Sequence, residues 1–442
     1  MLGCAILATA SFAFTARAQQ TPPTDLVFKN ATVMTASHGT IEHGSVWVHA
    51  GKIAAVGATV DAPASATVVD ATGLWLTPGI IDPHSHSALD GDVNEATSPV
   101  TPSMHMIDAF DNRDKALYQA LAGGVTTELL LHGSANMIGG QAVVIKNKFG
   151  LDRDAMIFPN APGSIKFASG ENPKRVYGSR DQLPSTRMGN FEVMRMAFED
   201  AKAYMGTWDA YNAKAAKGDK DAVAPKRDLK LEALADVLRG KLYVQIHCYR
   251  ADEFLTEEAI AKEYGYKIRA FHHALEMYKV ADKIAADQTA IATFTDWWGF
   301  KDEAWDAIPW NAVMSMRKGV KVALKSDSND HIRRLNQEAG KMIHYGGASE
   351  DEAIRMVTLN PAWIIGVDKQ TGSLDVGKDG DLVLWNMDPL STYARAEKVY
   401  IDGDLFFDSS LPGFGATHFN GAMHDSGGFG GEDGDEDGKG GN

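Results

Sequence analysis

The sequence predicts an α/β protein: a (β/α)8 barrel carrying a β-sandwich that both ends of the chain build together. Short strand-like segments separated by Gly, Asn and His occupy residues 25–75 and recur at 373–408. Between them, residues 76–365 alternate strand-like and helix-like segments, a pattern typical of a parallel sheet with covering helices. These roughly 290 residues are enough for a barrel with insertions.

The two terminal groups of strands are each too small for a comfortable core of their own. We therefore expect residues 19–75 and 366–410 to form one composite β-sandwich, and residues 76–365 to form the barrel.

Three helix-to-strand steps support the barrel. Helical residues 114–121 precede the strand-like residues 125–131, and helical residues 229–238 precede residues 242–246. A third helix precedes the strand-like residues 320–324. This repetition indicates neighbouring parallel strands joined by helices.

Both chain ends are predicted to lie outside the fold. An apolar stretch of small residues ends at Ala16-Arg17-Ala18, a small-x-small cleavage signature. Residues 1–18 are therefore predicted to be a signal peptide of a periplasmic or secreted protein; the alternative is a disordered or core-packed N-terminal stretch. Residues 411–442 are Gly-rich and acidic, which predicts a disordered tail.

Composition excludes several classes of partner. The net charge of -15 makes the chain a poor binder of nucleic acid, heparin or anionic lipid. No apolar run reaches the ~18 residues of a membrane span. Two cysteines, Cys4 and Cys248, are too few for a disulfide scaffold. We expect a small-molecule or short-peptide substrate, and a homo-oligomer is compatible with the sequence.

The sharpest local signal is the stretch 78–86, Pro-Gly-Ile-Ile-Asp-Pro-His-Ser-His. Residues two apart on a strand point to the same face, so His84 and His86 can meet one metal ion. Further candidates follow later strands, namely His247, His273 and Asp327. A parallel barrel collects the carboxyl ends of its strands at one mouth, where catalytic residues lie. Together these side chains predict a metal site.

On these residues the sequence resembles the amidohydrolase superfamily, and within it the imidazolonepropionase-related enzymes. The matching motifs are residues 78–86, Gly123–Thr127, Leu131–Asn136, Gly139–Gln141, Ser326–Asp327, Thr358–Ala362, Gly372–Leu374 and Gly377–Val383. The resemblance implies a TIM-like barrel with a composite β-sandwich, in agreement with the pattern above.

The resemblance also implies roles for the candidate residues. His84 and His86 would bind a first metal, His247 and His273 a second, and Asp327 would bind the first and act as general base. Two Zn2+ ions per chain are expected. A single-metal site stays open, because acids such as Glu253 follow His247 closely.

A two-metal site needs a bridging anion, and the segment 163–174 holds two candidates. Glu171 could bridge directly as a carboxylate, and it is the preferred ligand. Lys166 is the alternative, since its Ile-Lys-Phe context is similar to runs that carry a carboxylated bridging lysine in related enzymes.

These residues predict hydrolysis of a C–N bond in an amide or cyclic amide by a metal-activated hydroxide. The alternatives are a periplasmic metallo-dipeptidase and a binding protein that has lost catalysis. His132, Arg250 and Trp298 are predicted to bind substrate; Arg250 could pair with a substrate carboxylate, and Trp298 could wall a planar or apolar group.

Overall fold

A computed structural model describes residues 25–89 and 93–411 of the chain. The predicted signal peptide, and the predicted tail beyond Leu411, lie outside the described residues. The strands are β1 (Asp25–Met34), β2 (Thr40–His49), β3 (Lys52–Gly57), β4 (Thr67–Asp70), β5 (Trp75–Pro78), β6 (Ile80–Ser85), β7 (Val125–Leu130), β8 (Ile138–Lys146), β9 (Ser164–Ala168), β10 (Tyr243–Cys248), β11 (Ile268–His273), β12 (Ala290–Thr293), β13 (Val322–Leu324), β14 (Leu382–Trp385), β15 (Ala396–Ile401) and β16 (Asp404–Asp408).

The helices are α1 (Lys115–Ala122), α2 (Arg153–Met156), α3 (Glu171–Gly178), α4 (Arg187–Ala216), α5 (Leu229–Leu238), α6 (Ala251–Tyr264), α7 (Ala281–Asp287), α8 (Asn311–Arg317), α9 (Leu335–Gly346), α10 (Glu350–Met356) and α11 (Leu359–Ile365). Helix α1 begins where the Asp114 side chain accepts a hydrogen bond from the Ala116 amide, a favourable N-cap. Helix α5 has the predicted bounds. None of the helices in these two ranges is long and apolar enough to cross a membrane.

Strands from the two ends of the chain share one eight-stranded sheet, as predicted. Its order is β16-β15-β14-β5-β1-β2-β3, with β4 also paired to β1. Strand β14 runs antiparallel to β5, so a strand from residues 382–385 completes a sheet begun about 300 residues earlier. The sheet has a core of its own, which includes Phe28, Val46 and Leu384.

The second sheet is the barrel. Its eight strands run in the order β13-β12-β11-β10-β9-β8-β7-β6. Asp82 joins the two outer strands, because its carboxylate accepts hydrogen bonds from the amides of His84 (3.0 Å) and Ser326 (3.3 Å). The Asp327 amide also donates to the His84 carbonyl at 3.2 Å. These bonds bring the carboxyl ends of β6 and β13 together.

One strand departs from the expected parallel arrangement. Strand β8 is antiparallel to both β7 and β9. The connection between Leu130 and Ile138 is too short for the helical crossover, a dozen or more residues long, that a parallel neighbour needs. The expectation of an all-parallel barrel is therefore wrong at β8.

Candidate metal centre

Predicted ligands from four distant stretches of sequence lie at the carboxyl ends of barrel strands. His84 is in β6, His247 is in β10, and His273 is the last residue of β11. His86 follows β6 directly, and Asp327 follows β13. All five are buried, with exposed fractions of 5% or less.

The side chains of His84, His86 and Asp327 meet at one point. The Nε2 atoms of His84 and His86 are 3.2 Å apart. Asp327 Oδ1 lies 3.4 Å from the first and 3.1 Å from the second. Imidazole nitrogens and a carboxylate oxygen at these separations are a donor set suited to Zn2+.

His273 joins this cluster from the other side. Its Nδ1 is 3.5 Å from Asp327 Oδ2. One ligand atom from each of His84, His273 and Asp327 lies within 4.8 Å of the others. The His247 ring stands 4.3 Å from the His273 ring, centroid to centroid, so the four histidines are brought to one region.

The backbone is strained at two of these positions. His273 has φ 68° and Asp327 has φ 54°, in the left-handed region that residues other than glycine rarely adopt. Such conformations cost about 1–3 kcal/mol and concentrate at functional sites. Here they turn the two side chains toward the same point.

Hydrogen bonds assign the tautomer of His86. Its Nδ1 lies 2.6 Å from the Leu131 carbonyl oxygen, which can only accept, so Nδ1 carries the hydrogen. The lone pair of a neutral His86 is then on Nε2, the atom that faces His84 and Asp327. This arrangement suits a metal ligand.

His247 is held on two sides. Its Nδ1 lies 2.7 Å from the Ser134 hydroxyl. Its ring meets Tyr249 edge-on at 4.9 Å, while Tyr249 stacks on His273 at 4.8 Å with an interplanar angle of 13°. The rings around His247 and His273 therefore fix both orientations.

Two buried lysines set the electrostatics of the site. Lys166 Nζ lies 3.3 Å from His84 Nε2, and Lys325 Nζ lies 2.8 Å from Asp327 Oδ2. Burial, followed by the charges of Lys325 and Lys166, holds the pKa of His84 well below its usual value. His84 is therefore neutral at physiological pH, the protonation state that metal binding requires.

The two candidate bridging residues have different surroundings. Lys166, in β9, touches His84 and donates to the His132 carbonyl at 2.8 Å. Glu171 begins α3, and its amide donates to Glu303 at 2.9 Å. Burial and the charge of Glu303 raise the pKa of Glu171. The described contacts therefore connect Lys166, rather than Glu171, to the histidine cluster.

His132, a predicted substrate residue, is buried behind Lys166. Its ring nitrogens face the carbonyl oxygens of Gly133 at 2.5 Å and Lys166 at 3.2 Å. A Cβ on Gly139 would lie 1.9 Å from the ring, so Gly139 makes room for it. Burial and the charge of Lys166 lower the pKa of His132 to about 3. One of these contacts is therefore with its own loop and the other with the backbone of Lys166.

The other two predicted substrate residues are more exposed. Arg250 forms paired 3.0 Å hydrogen bonds with Asp252, so its guanidinium already has a carboxylate partner. Trp298 is 55% exposed on the loop after β12. On the same loop, Trp297 stacks on Phe294 at 4.5 Å, and the Phe294 ring in turn lies 5.5 Å from the His273 ring.

Three polar residues of the site were missed in the sequence: Ser134, Gln245 and Lys325. Lys325 is two residues before Asp327, and a two-residue period places both on one side of the chain, so this signal was available. Gln245 and Ser134 act through neighbours on other strands, and a linear pattern does not report such contacts.

Comparisons with known proteins identify the class of this barrel. The Amidohydrolase family model matches residues 310–409. A crystal structure of an amidohydrolase from Thermotoga maritima MSB8 is 36% identical, with a TM-score of 0.79, and the match covers 87% of this chain and all of that one. The chain belongs to the amidohydrolase family, and the comparisons support a hydrolase acting on C–N bonds.

Curated relatives agree with this assignment. Amidohydrolase tasK from Hapsidospora irregularis is 35% identical over 396 residues, which is 83% of this chain and 40% of that longer protein. An imidazolonepropionase from Mesorhizobium japonicum is 27% identical over 82% of this chain and 92% of its own length. The predicted resemblance to imidazolonepropionase-related amidohydrolases is confirmed.

Proposed function

We propose that this chain is a metal-dependent hydrolase that opens the C–N bond of an amide or cyclic amide. The observation that carries the proposal is the meeting of His84, His86, His273 and Asp327 in one buried cluster at the barrel mouth. Imidazole nitrogens and a carboxylate from the ends of three strands form a donor set for a divalent cation, in a family whose members are hydrolases.

A divalent metal held by these residues would lower the pKa of water toward ~7 and polarise the substrate carbonyl. The chain itself supplies the proton transfers. Asp327 Oδ1 faces His84 and His86, whereas Oδ2 faces Lys325 and His273. We assign Oδ2, the oxygen that Lys325 holds in place, as the atom that would accept the proton of the attacking water and return it to the leaving nitrogen.

Lys166, in carboxylated form, is the bridging ligand that we propose in place of Glu171. A cationic ammonium 3.3 Å from His84 Nε2 would repel a bound metal ion. When the neutral amine attacks CO2, an N–C bond forms and one N–H proton leaves, so the side chain becomes an anion. The remaining N–H can still donate to the His132 carbonyl, 2.8 Å away.

A bicarbonate experiment tests this bridge. Removal of CO2 at low pH should abolish turnover, and bicarbonate with metal should restore it. Lys166→Ala should be inactive and recover partly with a short carboxylate such as acetate, whereas Glu171→Gln should keep most of its activity. The reverse pattern, with Glu171→Gln inactive and no bicarbonate dependence, would reinstate Glu171.

We propose two Zn2+ ions per chain, because His247 and His273 extend the donor set beyond the first cluster. Elemental analysis of the purified full-length chain measures both identity and number. Fewer than about one metal ion per chain would contradict the proposal, and one ion would favour the single-metal alternative.

Cyclic amides are the proposed substrate class. The imidazolonepropionase relatives support a cyclic substrate. The dipeptidase alternative used Arg250 as a carboxylate clamp, and Arg250 is engaged by Asp252. A panel of cyclic amides, including imidazolonepropionate, should be hydrolysed faster than a panel of dipeptides; the opposite ranking would favour the dipeptidase.

We also propose that the chain is exported to the periplasm or secreted, on the strength of the Ala16-Arg17-Ala18 cleavage pattern. Protein expressed from the full sequence in a Gram-negative host should appear in the periplasm with Gln19 as its first residue. An intact N-terminus in the cytoplasm would contradict export.

A further inference from the structure

A chain of hydrogen bonds runs away from the metal centre behind His84. His84 Nδ1 lies 2.8 Å from His272 Nδ1, and His272 Nε2 lies 2.9 Å from Gln245 Oε1. The Gln245 amide nitrogen lies 3.3 Å from the Ile364 carbonyl in α11. His84, His272 and Gln245 have no exposed surface.

The direction of every bond in this chain follows from its last member. The Ile364 carbonyl can only accept, so the Gln245 amide group donates to it and Oε1 faces His272 as an acceptor. His272 Nε2 must then carry a hydrogen, and the Nδ1 atom of a neutral His272 ring holds a lone pair. His84 Nδ1 therefore donates to His272, and the His84 lone pair is on Nε2.

His84 Nε2 is the atom that faces His86 and Asp327. We propose that His272 and Gln245 are positioning residues that set the tautomer and orientation of His84 for metal binding. This inference rests on the proposed metal site, to which it adds two residues that would not touch the metal.

The backbone at the end of β11 allows two consecutive histidines to approach His84. Consecutive strand residues normally point to opposite faces, yet the rings of both His272 and His273 approach His84, with centroids 4.8 Å and 5.1 Å away. The left-handed φ of 68° at His273 allows this. One histidine thus faces the proposed metal while its neighbour supports another ligand.

His84 differs from His86 in how it is held. The Nδ1 atom of His86 lies against the Leu131 backbone carbonyl, so no side-chain substitution removes that acceptor. The acceptor for His84 is a side chain with two tautomers, and Gln245 selects between them. If His272 took the other tautomer, its Nδ1–H would face His84 Nδ1, and His84 would have to carry its hydrogen on Nε2.

Zn2+ affinity of the full-length chain tests the inference. The metal-depleted protein would be titrated with Zn2+ in competition with a chromophoric chelator, for wild type, His272→Leu and His272→Asn. Leu and Asn have nearly the same shape, but only Asn offers an oxygen to the His84 N–H. We expect about 10–100-fold weaker binding for His272→Leu, typical of a lost supporting contact, and recovery of most of it in His272→Asn.

A second pair probes Gln245 independently of any folding defect at His272. Gln245→Glu keeps an acceptor for His272 Nε2–H, whereas Gln245→Leu removes it, so only Gln245→Leu should lose Zn2+ affinity. In wild type, 15N couplings should report His272 as the Nε2–H tautomer and His84 as the Nδ1–H tautomer.

The outcomes separate the two proposals. Equal affinities within both pairs, or an Nδ1–H tautomer at His272, would overturn the positioning role while leaving the metal site intact. A wild-type chain that binds no Zn2+ would overturn the metal site and the positioning role together.

Discussion

Lys146 and Lys166 lie on the neighbouring strands β8 and β9, and both are buried, yet their surroundings differ. Lys146 Nζ contacts three carboxylates, those of Asp379 (2.6 Å), Asp381 (3.1 Å) and Asp402 (2.5 Å). Lys166 Nζ contacts an imidazole nitrogen and a backbone carbonyl.

The two environments indicate different roles for the two lysines. The three carboxylates lie in loops next to strands of the sheet built by the chain ends, just before β14 and between β15 and β16, so Lys146 joins the barrel to that sheet. Burial lowers the pKa of Lys146, but the three carboxylates outweigh it and raise the pKa above its usual value. Lys146 is therefore a permanent cation at a junction, whereas Lys166 lies against a proposed metal ligand.

The largest expected effect is at the metal centre. Asp327→Asn removes the proton acceptor but keeps the shape of the side chain. Turnover should fall roughly 10^2–10^4-fold, the usual contribution of general acid–base catalysis. Steady-state kinetics measures the loss, and thermal unfolding should show no comparable loss of stability.

Metal content provides the control for that variant. His84, His86 and His273 remain, so Asp327→Asn should retain most of its bound metal. Undiminished turnover would remove Asp327 from the mechanism. If purified Asp327→Asn contains no metal, Asp327 acts as a ligand more than as a base.

The second effect is a loss of stability at the junction between the barrel and the terminal sheet, where Lys146 meets the three carboxylates. Lys146→Met leaves the buried Asp381 carboxylate without its cation, while Asp379 and Asp402 keep the more exposed Lys52 and Lys148. Removing one partner of a buried ion pair costs about 3–5 kcal/mol. Denaturant unfolding should show this loss, while turnover per folded molecule stays near wild type.

Lys148→Met is the matched control. Lys148 also pairs with Asp402, but it is partly exposed, so its removal should cost about 1 kcal/mol or less. Equal losses of unfolding free energy in the two variants would mean that the greater burial of Lys146 does not make its ion pairs more stabilising than that of Lys148. A Lys146→Met protein of normal stability would contradict the structural role of the junction.

Much of the site was predictable because its signals are local. The two-residue period of a strand identified His84 and His86, and the barrel geometry added His247, His273 and Asp327. The pairing of both chain ends in one sheet was predictable because neither end has enough strands for a stable core of its own. The bounds of α5 were correct because its apolar run has a clear cap at Asp228.

The rest depends on contacts across strands. The sequence does not show that His247 and His272 lie side by side in β10 and β11, and this register is what brings Gln245 to His272. The Lys146 junction likewise joins residues more than 230 positions apart. The preference for Glu171 over Lys166 relied on residue type, whereas the distances to His84 depend on where β9 ends.

A third effect concerns the other lysine of the metal centre. Lys325→Met removes the 2.8 Å hydrogen bond to Asp327 Oδ2. Hydrogen bonds to charged groups contribute about 1.5–3 kcal/mol, so turnover should fall roughly 10-fold or more. Lys321→Met, near the start of the same strand and over the Trp363 ring, should leave turnover unchanged. Equal turnover of both variants would exclude a role for Lys325.

The smallest expected effect is the pH dependence of the junction. Burial raises the pKa of Asp402, but Lys146 and Lys148 outweigh it and hold the pKa below its usual value. A carboxyl with a lowered folded-state pKa contributes stability above its unfolded pKa, and this contribution is lost as the pH falls through the folded-state value. The difference in the free energy of unfolding between wild type and Lys146→Met should therefore narrow between pH 7 and pH 3. Denaturant unfolding at both pH values measures it, and a gap that widens at pH 3 would show that the carboxylates do not depend on Lys146 for their charge.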